Sequence, residues 1–328
     1  MLKHGFSRST PPARVVILGA TGFLATHLKR HLEHDKVPCL CVGSRDIDLT
    51  RRESSGALSE IIEPGDTVVM TSVLTPEKGR DYGTYMLNVQ MADTVCRALE
   101  ASGCAHFVYL SSDAVYDAHK TPLDEDSTRE PVDLYALTHT SREMIMGSVL
   151  AARAIPYCFL RPTNIYGPGD THNNYGPNRF VRTAVNDGKI VLFGRGEERR
   201  SQLYVDDAIA LVRLAIVHRS EGTLNLAVQP AVSFMDVATV VARGCGNPVT
   251  VEFVPRTIAP VHRPYKPTQV FRYIYNLGRK IGPIVHRPYS IAAVRQAFPD
   301  FAYTPLEKGI GAYLDFVATH RATAPVSP

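Results

Sequence analysis

Residues Val15 to Ala25 read Val-Val-Ile-Leu-Gly-Ala-Thr-Gly-Phe-Leu-Ala, an order suited to holding a diphosphate. An apolar, β-branched run stops at Gly19, a second glycine follows at Gly22, and an amphipathic stretch with Leu24, Leu28 and Leu32 begins at once. This predicts a buried strand, a tight turn and a helix start. The first N–H groups of a helix have no acceptor within it, and with the helix dipole they make a seat for pyrophosphate. Gly19 permits the turn, Gly22 lets the backbone approach the phosphates, and Ala25 is small enough for close helix–strand packing. Thr21, Phe23 and Leu24 complete this candidate dinucleotide loop. A glycine pattern alone is weak. Its weight comes from a second group downstream: Ser111-Ser112-Asp113-Ala114-Val115-Tyr116 after an apolar run, then Tyr135-Ala136-Leu137-Thr138-His139 at the start of a helical pattern.

The elements that position these groups alternate. Val15–Leu18, Cys39–Val42, Asp66–Thr71, Phe107–Leu110 and Cys158–Leu160 read as strands. Helical spacing runs from the glycine loop to about Glu33, over Tyr85–Ala101 and over Tyr135–Leu150. This β-α-β-α order implies an α/β fold, a Rossmann-type doubly wound parallel sheet with right-handed crossovers. The second half changes character: residues 166–200 are rich in Gly, Asn and Pro, and 247–290 carry many prolines. Asp206–His218 reads as one more helix and Thr223–Ala227 as one more strand. The expected plan is a nucleotide-binding domain from 12–165 plus 201–228 and a smaller, mixed substrate domain from 166–200 plus 229–320. Short disordered tails are expected at 1–11 and 321–328.

Composition narrows the classes. With 328 residues, 45% hydrophobic and a net charge of only +4, the chain is globular and lacks the charge density of a nucleic-acid binder. No apolar run reaches membrane-spanning length, so a soluble, cytoplasmic protein is expected. The six cysteines (Cys39, Cys41, Cys96, Cys104, Cys158, Cys245) show no metal or redox spacing and read as reduced core residues. His27, His31 and His34 share a helix face but lack a zinc-site spacing, so a solvated face and no metal are expected.

Taken together, the glycine loop, Ser112, Tyr135, the run Arg161-Pro162-Thr163-Asn164-Ile165-Tyr166-Gly167-Pro168-Gly169 and Tyr204-Val205-Asp206-Asp207 resemble the extended short-chain dehydrogenase/reductase family. Its members include nucleotide-sugar epimerases, dehydratases and ketoreductases. The resemblance runs from about Arg14 to about Arg219. It implies hydride transfer between a sugar carbon and NAD(P), with Tyr135 as acid/base and Ser112 holding the sugar oxygen. In the family a lysine one turn after the tyrosine holds the nicotinamide ribose and favours the tyrosinate. Here that position is His139, shorter and largely neutral at pH 7. Arg142, two turns after Tyr135, could add positive field, although an exposed helix arginine is the simpler reading. The change leaves open a slower enzyme, an adjusted geometry, or a protein that only binds its ligand.

The end of the second strand, Val42-Gly43-Ser44-Arg45-Asp46-Ile47-Asp48-Leu49, bears on the cofactor. Arg45 could accept a 2′-phosphate, which tilts the choice to NADP(H), whereas a one-residue shift to Asp46 would favour NAD. The resemblance sets Asp48 and Leu49 against adenine and places Ser72 and Pro162 with the cofactor. It places Asp113, Asn164, Asn178 and Arg200 with a nucleotide-diphosphate sugar, with Arg287 a further candidate. Phe193 is a candidate nucleotide contact, with core the commoner reading for such a position. Asn88 reads as structural support near the cofactor. Ala114 lacks the acid that dehydratases carry after the aspartate, so an epimerase or a 4-ketoreductase is expected. A reductase of another small carbonyl compound is the remaining alternative. Family members often pair as homodimers through the helices around Tyr85–Ala101 and Tyr135–Leu150.

Overall fold

Strands covered by helices on both faces have no polar side, and three segments follow that rule. β2 (Val15–Leu18), β4 (Thr67–Met70) and β5 (His106–Leu110) are buried along their whole length. With β1 (Lys3–His4), β3 (Cys39–Val42), β6 (Tyr157–Pro162) and β11 (Ser220–Leu226) they form a seven-stranded sheet in the order β1-β11-β6-β5-β4-β2-β3. Every pairing is parallel except β1 with β11. The computed structural model describes residues 2–116, 121–170, 176–255 and 286–321.

Period-two alternation divides the core between the two faces. Val15 and Ile17 pack with α1 (Phe23–His34) and α6 (Val205–Val217). Val16 and Leu18 pack with α2 (Ser54–Ile61), α3 (Tyr82–Ser102) and α4 (Leu134–Ala152). The chain goes outward from β2 to β3 and returns to place β4 on the other side of β2. At such a reversal the crevice beyond the carboxyl strand ends is open to a ligand.

The remaining elements form small pairs beyond that crevice. β7 (Asn164–Tyr166) pairs with β10 (Gln202–Tyr204), β8 (Lys189–Phe193) with β13 (Thr250–Val254), and β9 (Arg199–Arg200) with β12 (Val232–Ser233). α5 (Gly176–Asp187) packs against α7 (Phe234–Gly244) and α9 (Leu306–Arg321), and α8 (Ala292–Ala297) lies against β11. The order within 176–200 was hidden by its Gly, Asn and Pro content. Among the described residues no helix is long and apolar enough to cross a membrane.

Within the tail expected to be disordered over 1–11, the described residues are tied to the sheet. Lys3 and His4 pair with Glu221 and Ser220, and the amide of Thr10 donates to Val217 O at 2.8 Å. An edge strand leaves a row of N–H and C=O groups unpaired, and the leader satisfies those of β11. Of the tail expected at 321–328, residues 322–328 lie outside the described residues.

A buried ion pair fixes α4 to the sheet. Glu143 of α4 accepts from Arg161 of β6 through Nε at 2.9 Å and Nη2 at 2.6 Å. Ser111 Oγ adds a third bond to Glu143 at 2.6 Å, and Arg161 Nη1 donates to Tyr116 Oη at 2.6 Å. Removing one member of such a pair leaves a charge buried without its partner. Glu143→Ala should therefore lower the unfolding free energy by about 3–5 kcal/mol in urea denaturation. A loss below about 1 kcal/mol would show that water takes over the pairing.

Candidate active site

The glycine loop adopts the geometry its residues allow. Gly19 has φ of 101°, and a Cβ there would lie 2.8 Å from Thr71 Oγ1 and 2.9 Å from Ser72 N. Gly22 precedes the first turn of α1, which has neither a side-chain cap nor an acidic residue. Its leading N–H groups are thus left for an anionic ligand. A cavity of about 350 Å³ begins there, lined by Gly22, Phe23 and Leu24 on one side. Ser112, Asp113, Tyr135, His139, Pro162 and Asn164 line the other. A neighbouring cavity of about 710 Å³ shares Gly22, Phe23, Val73 and Thr75 and also reaches Thr21.

The two serines after β5 have different work. Ser111 is committed to Glu143, whereas Ser112 Oγ accepts from Ala114 N at 3.1 Å, which leaves its hydroxyl proton to donate. Asp133 caps α4 by accepting from Ala136 N at 2.8 Å and so sets the first turn that carries Tyr135. Tyr135 meets His139 edge to face, with ring centroids 4.8 Å apart.

His139 is almost wholly buried, and Tyr109 Oη lies 2.8 Å from its Nδ1. Burial, then the nearby Arg142 charge, pushes the imidazole down to about 3. It is neutral at pH 7, so the imidazolium that could have favoured a tyrosinate does not form here. Its Nε2 is buried without a protein partner, as is Ser72 Oγ at the end of β4. Two such atoms beside an uncapped helix start fit a ligand that carries both phosphates and hydroxyls, as a dinucleotide does. Arg142 corrects the simple expectation of an exposed arginine: it is 0% exposed.

Other predicted residues are dispersed. Arg45 is exposed beyond β3, and the Asp46 carboxylate accepts from Gly43 N at 2.8 Å, closing its own turn. Asp48 accepts from Thr50 N and Oγ1, and Leu49 lies in the core. Asn178 is not among the residues lining the cavity: it is fully buried, accepting from Gly167 N at 3.1 Å and donating to Ile165 O at 3.2 Å. Arg200 donates to Glu198 at 2.7 Å and does not line the cavity. Arg287, placed beside Arg200 by a β-bridge, instead reaches the Asp113 carbonyl at 2.9 Å. The Asp113 carboxylate accepts from Tyr289 Oη at 2.7 Å.

Asn88 holds Leu74 by both its N–H and C=O, which pins the segment after β4. Phe193 is 48% exposed, because it ends a strand in a two-stranded ribbon rather than the central sheet. His27 leaves the expected solvated face: it is buried between Asp206, at 3.1 Å, and the Pro168 carbonyl, at 2.8 Å. Sequence reasoning passed over Tyr109, whose apolar strand gives no hint of a buried hydroxyl contact.

A family model described as "NAD dependent epimerase/dehydratase family" matches residues 15–227. An N-acetyl-alpha-D-glucosaminyl-diphospho-ditrans,octacis-undecaprenol 4-epimerase of Escherichia coli O157:H7 is 23% identical over 301 residues, 86% of this chain and 83% of its own. The structure of a UDP-glucose 4-epimerase from Thermotoga maritima, solved with UDP-glucose, superposes with a TM-score of 0.78 at 15% identity, covering 94% of this chain and 99% of that one. A Thermus thermophilus UDP-glucose 4-epimerase complex with NAD gives 0.74 at 17% identity, covering 93% and 99%.

Histidines that burial keeps neutral make acid destabilising. His139 is pushed down to about 3, and His106, whose Nε2 lies 2.8 Å from Ser220 O, to about 4. Their contribution is fully present above the unfolded value of 6.5 and is lost as pH falls below it, because the unfolded chain binds protons that the fold refuses. With both lagging, the slope approaches about 2.7 kcal/mol per pH unit. Urea midpoints between pH 7 and pH 5 should fall accordingly, and His106→Gln should halve the effect. A flat profile would mean that both rings protonate in place.

Proposed function

The chain belongs to the NAD dependent epimerase/dehydratase family, and from that premise we propose that it is an epimerase of a nucleoside-diphosphate sugar. The observation that carries the reading is one cavity in which the uncapped start of α1 meets Ser112 and Tyr135. A bound nicotinamide supplies the hydride acceptor and donor for a sugar carbon. Tyr135 removes and returns the proton of the attached hydroxyl, and Ser112 donates to that oxygen as it becomes a carbonyl. His139 offers Nε2 to a hydroxyl of the dinucleotide. The first amides of α1 would hold its pyrophosphate, and Arg287, bonded to the carbonyl of the cavity-lining Asp113, is a candidate cation for the sugar-nucleotide diphosphate, as is Arg80 in the cavity wall. Ala114 carries no acid, so β-elimination lacks a proton donor at that position.

One observation favours a second reading, a 4-ketoreductase that exchanges NADPH at each turnover. Arg45 is exposed beyond β3 with its guanidinium available to a 2′-phosphate, while the adjacent Asp46 carboxylate accepts from Gly43 N. Mass spectrometry of the ligands retained on the purified protein separates the two: tightly held NAD(H) for the epimerase, exchangeable NADP(H) for the reductase. In either case Tyr135→Phe should cut turnover of a UDP- or dTDP-sugar by at least about 10²-fold. Its dinucleotide affinity should stay within about threefold, since the lost hydroxyl leaves the pyrophosphate seat untouched. Undiminished turnover in that variant would remove Tyr135 from the mechanism.

A further inference from the structure

Arg142 is the most unusual charge in the molecule. It is fully buried on α4, yet no carboxylate among the described residues pairs with it, because its neighbour Glu143 turns to Arg161. Its acceptors are neutral: Ser72 O at 2.9 Å and Met70 Sδ at 3.7 Å. Nε and Nη1 have no hydrogen-bond partner. A buried cation left this way is costly, and such a departure from local rules is expected where function demands it. The guanidinium lies 5.2 Å from the centroid of the Tyr109 ring, and Tyr109 Oη contacts His139 Nδ1 at 2.8 Å. His139 in turn meets Tyr135 on the cavity wall.

The geometry points to Arg142 as a positioning residue that supplies the positive potential for Tyr135 and, through Tyr109, fixes the tautomer of His139. A cation beside the phenol favours turning the oxygen lone pairs toward it and the Tyr109 proton toward Nδ1. Nδ1 is then the acceptor, and Nε2 carries the ring proton as a donor. Seven residues of helix place Arg142 about 10 Å from Tyr135 along the axis. At that range, with an effective dielectric near 20, one charge favours the tyrosinate by about one pKa unit. Other charged or titratable groups face this corner. Arg80 and Asp81 come from the segment ahead of α3, Tyr85 from α3, and Asp113 and Asp170 from the opposite wall. Asp81 is turned to Thr84, Asp113 to Tyr289, and Tyr85 to Ser141. Arg80 is exposed, where water screens it.

The inference rests on Tyr135 as the acid/base, but its readouts need no turnover, so the two readings fail separately. Nitrogen NMR of the histidine rings in the wild-type protein at neutral pH should show His139 as the Nε2–H tautomer, changing in Tyr109→Phe. Tyrosinate absorbance, taken as the difference between each variant and the same variant carrying Tyr135→Phe, isolates the Tyr135 titration. Arg142→Met should move it up by about one unit, while Arg142→Lys and the double variant His139→Lys/Arg142→Met should restore it. Arg80→Met should leave it in place. An Nδ1–H ring, or a Tyr135 titration unmoved in Arg142→Met, would overturn the assignment. Should Arg142→Met not fold, Arg142→Gln, which removes the charge but keeps a donor for Ser72 O, takes its place in the titration, with the same shift expected and an unmoved Tyr135 again overturning the assignment.

Discussion

The buried pairing of Glu143 with Arg161 is the constraint that the site depends on. It joins α4, which carries Tyr135 and His139, to β6, which ends at Pro162, and to the turn after β5 through Ser111. Ser112 follows Ser111 directly, so one ion pair sets the hydroxyl and the phenol against the same cavity. Its geometry is bidentate, which fixes orientation as well as distance. Arg161 extends the pairing through Tyr116 to Asn225 of β11. Three adjacent strand ends and one helix are thereby held in a single arrangement.

That pairing also decides the electrostatics next door. Because Glu143 is satisfied by Arg161, it cannot neutralise Arg142, one residue earlier on α4. The two residues point to different neighbours, so the sheet side of α4 holds a compensated pair and an uncompensated cation. Around the cation the ionisable groups stay neutral: burial pushes the Tyr109 phenol up to about 12 and the His139 imidazole down to about 3. A low-dielectric corner transmits an uncompensated charge further than water would.

The glycine loop and β2 were legible because each is local: strand period, turn chemistry and helix start lie in neighbouring residues, whereas Ser112 and Tyr135 were paired only through the family resemblance. What could not be read depends on partners distant in the chain. Lys3 and His4 look like a charged leader until Ser220 and Glu221 offer an open edge. Arg142 looks like a surface residue until the chain brings Ser72 and Met70 against it. Asn178 has the polarity of a ligand contact, yet the turn at Gly167 uses both ends of its amide. Polar side chains carry no mark of whether a backbone or a ligand will be their partner.

The Asp113 side of the cavity follows the same logic over a longer span. The turn bearing Ser112 and Asp113 is gripped by Arg287 and Tyr289, more than 170 positions later. The late segment is itself tied to Leu123, whose N–H donates to Pro288 O at 2.9 Å and whose carbonyl accepts from Ser290 N at 2.7 Å. Tyr289 and Ile291 share a small apolar cluster with Val115, Tyr116 and Leu123. The turn carrying Ser112 therefore takes its final shape only once this late segment is docked. Arg287 of that segment is coupled to Ser112 through Asp113 rather than through the glycine loop. The glycine loop and the late segment are separate parts of the chain, and the turn after β5 joins them, lining the cavity with the first and hydrogen-bonding to the second.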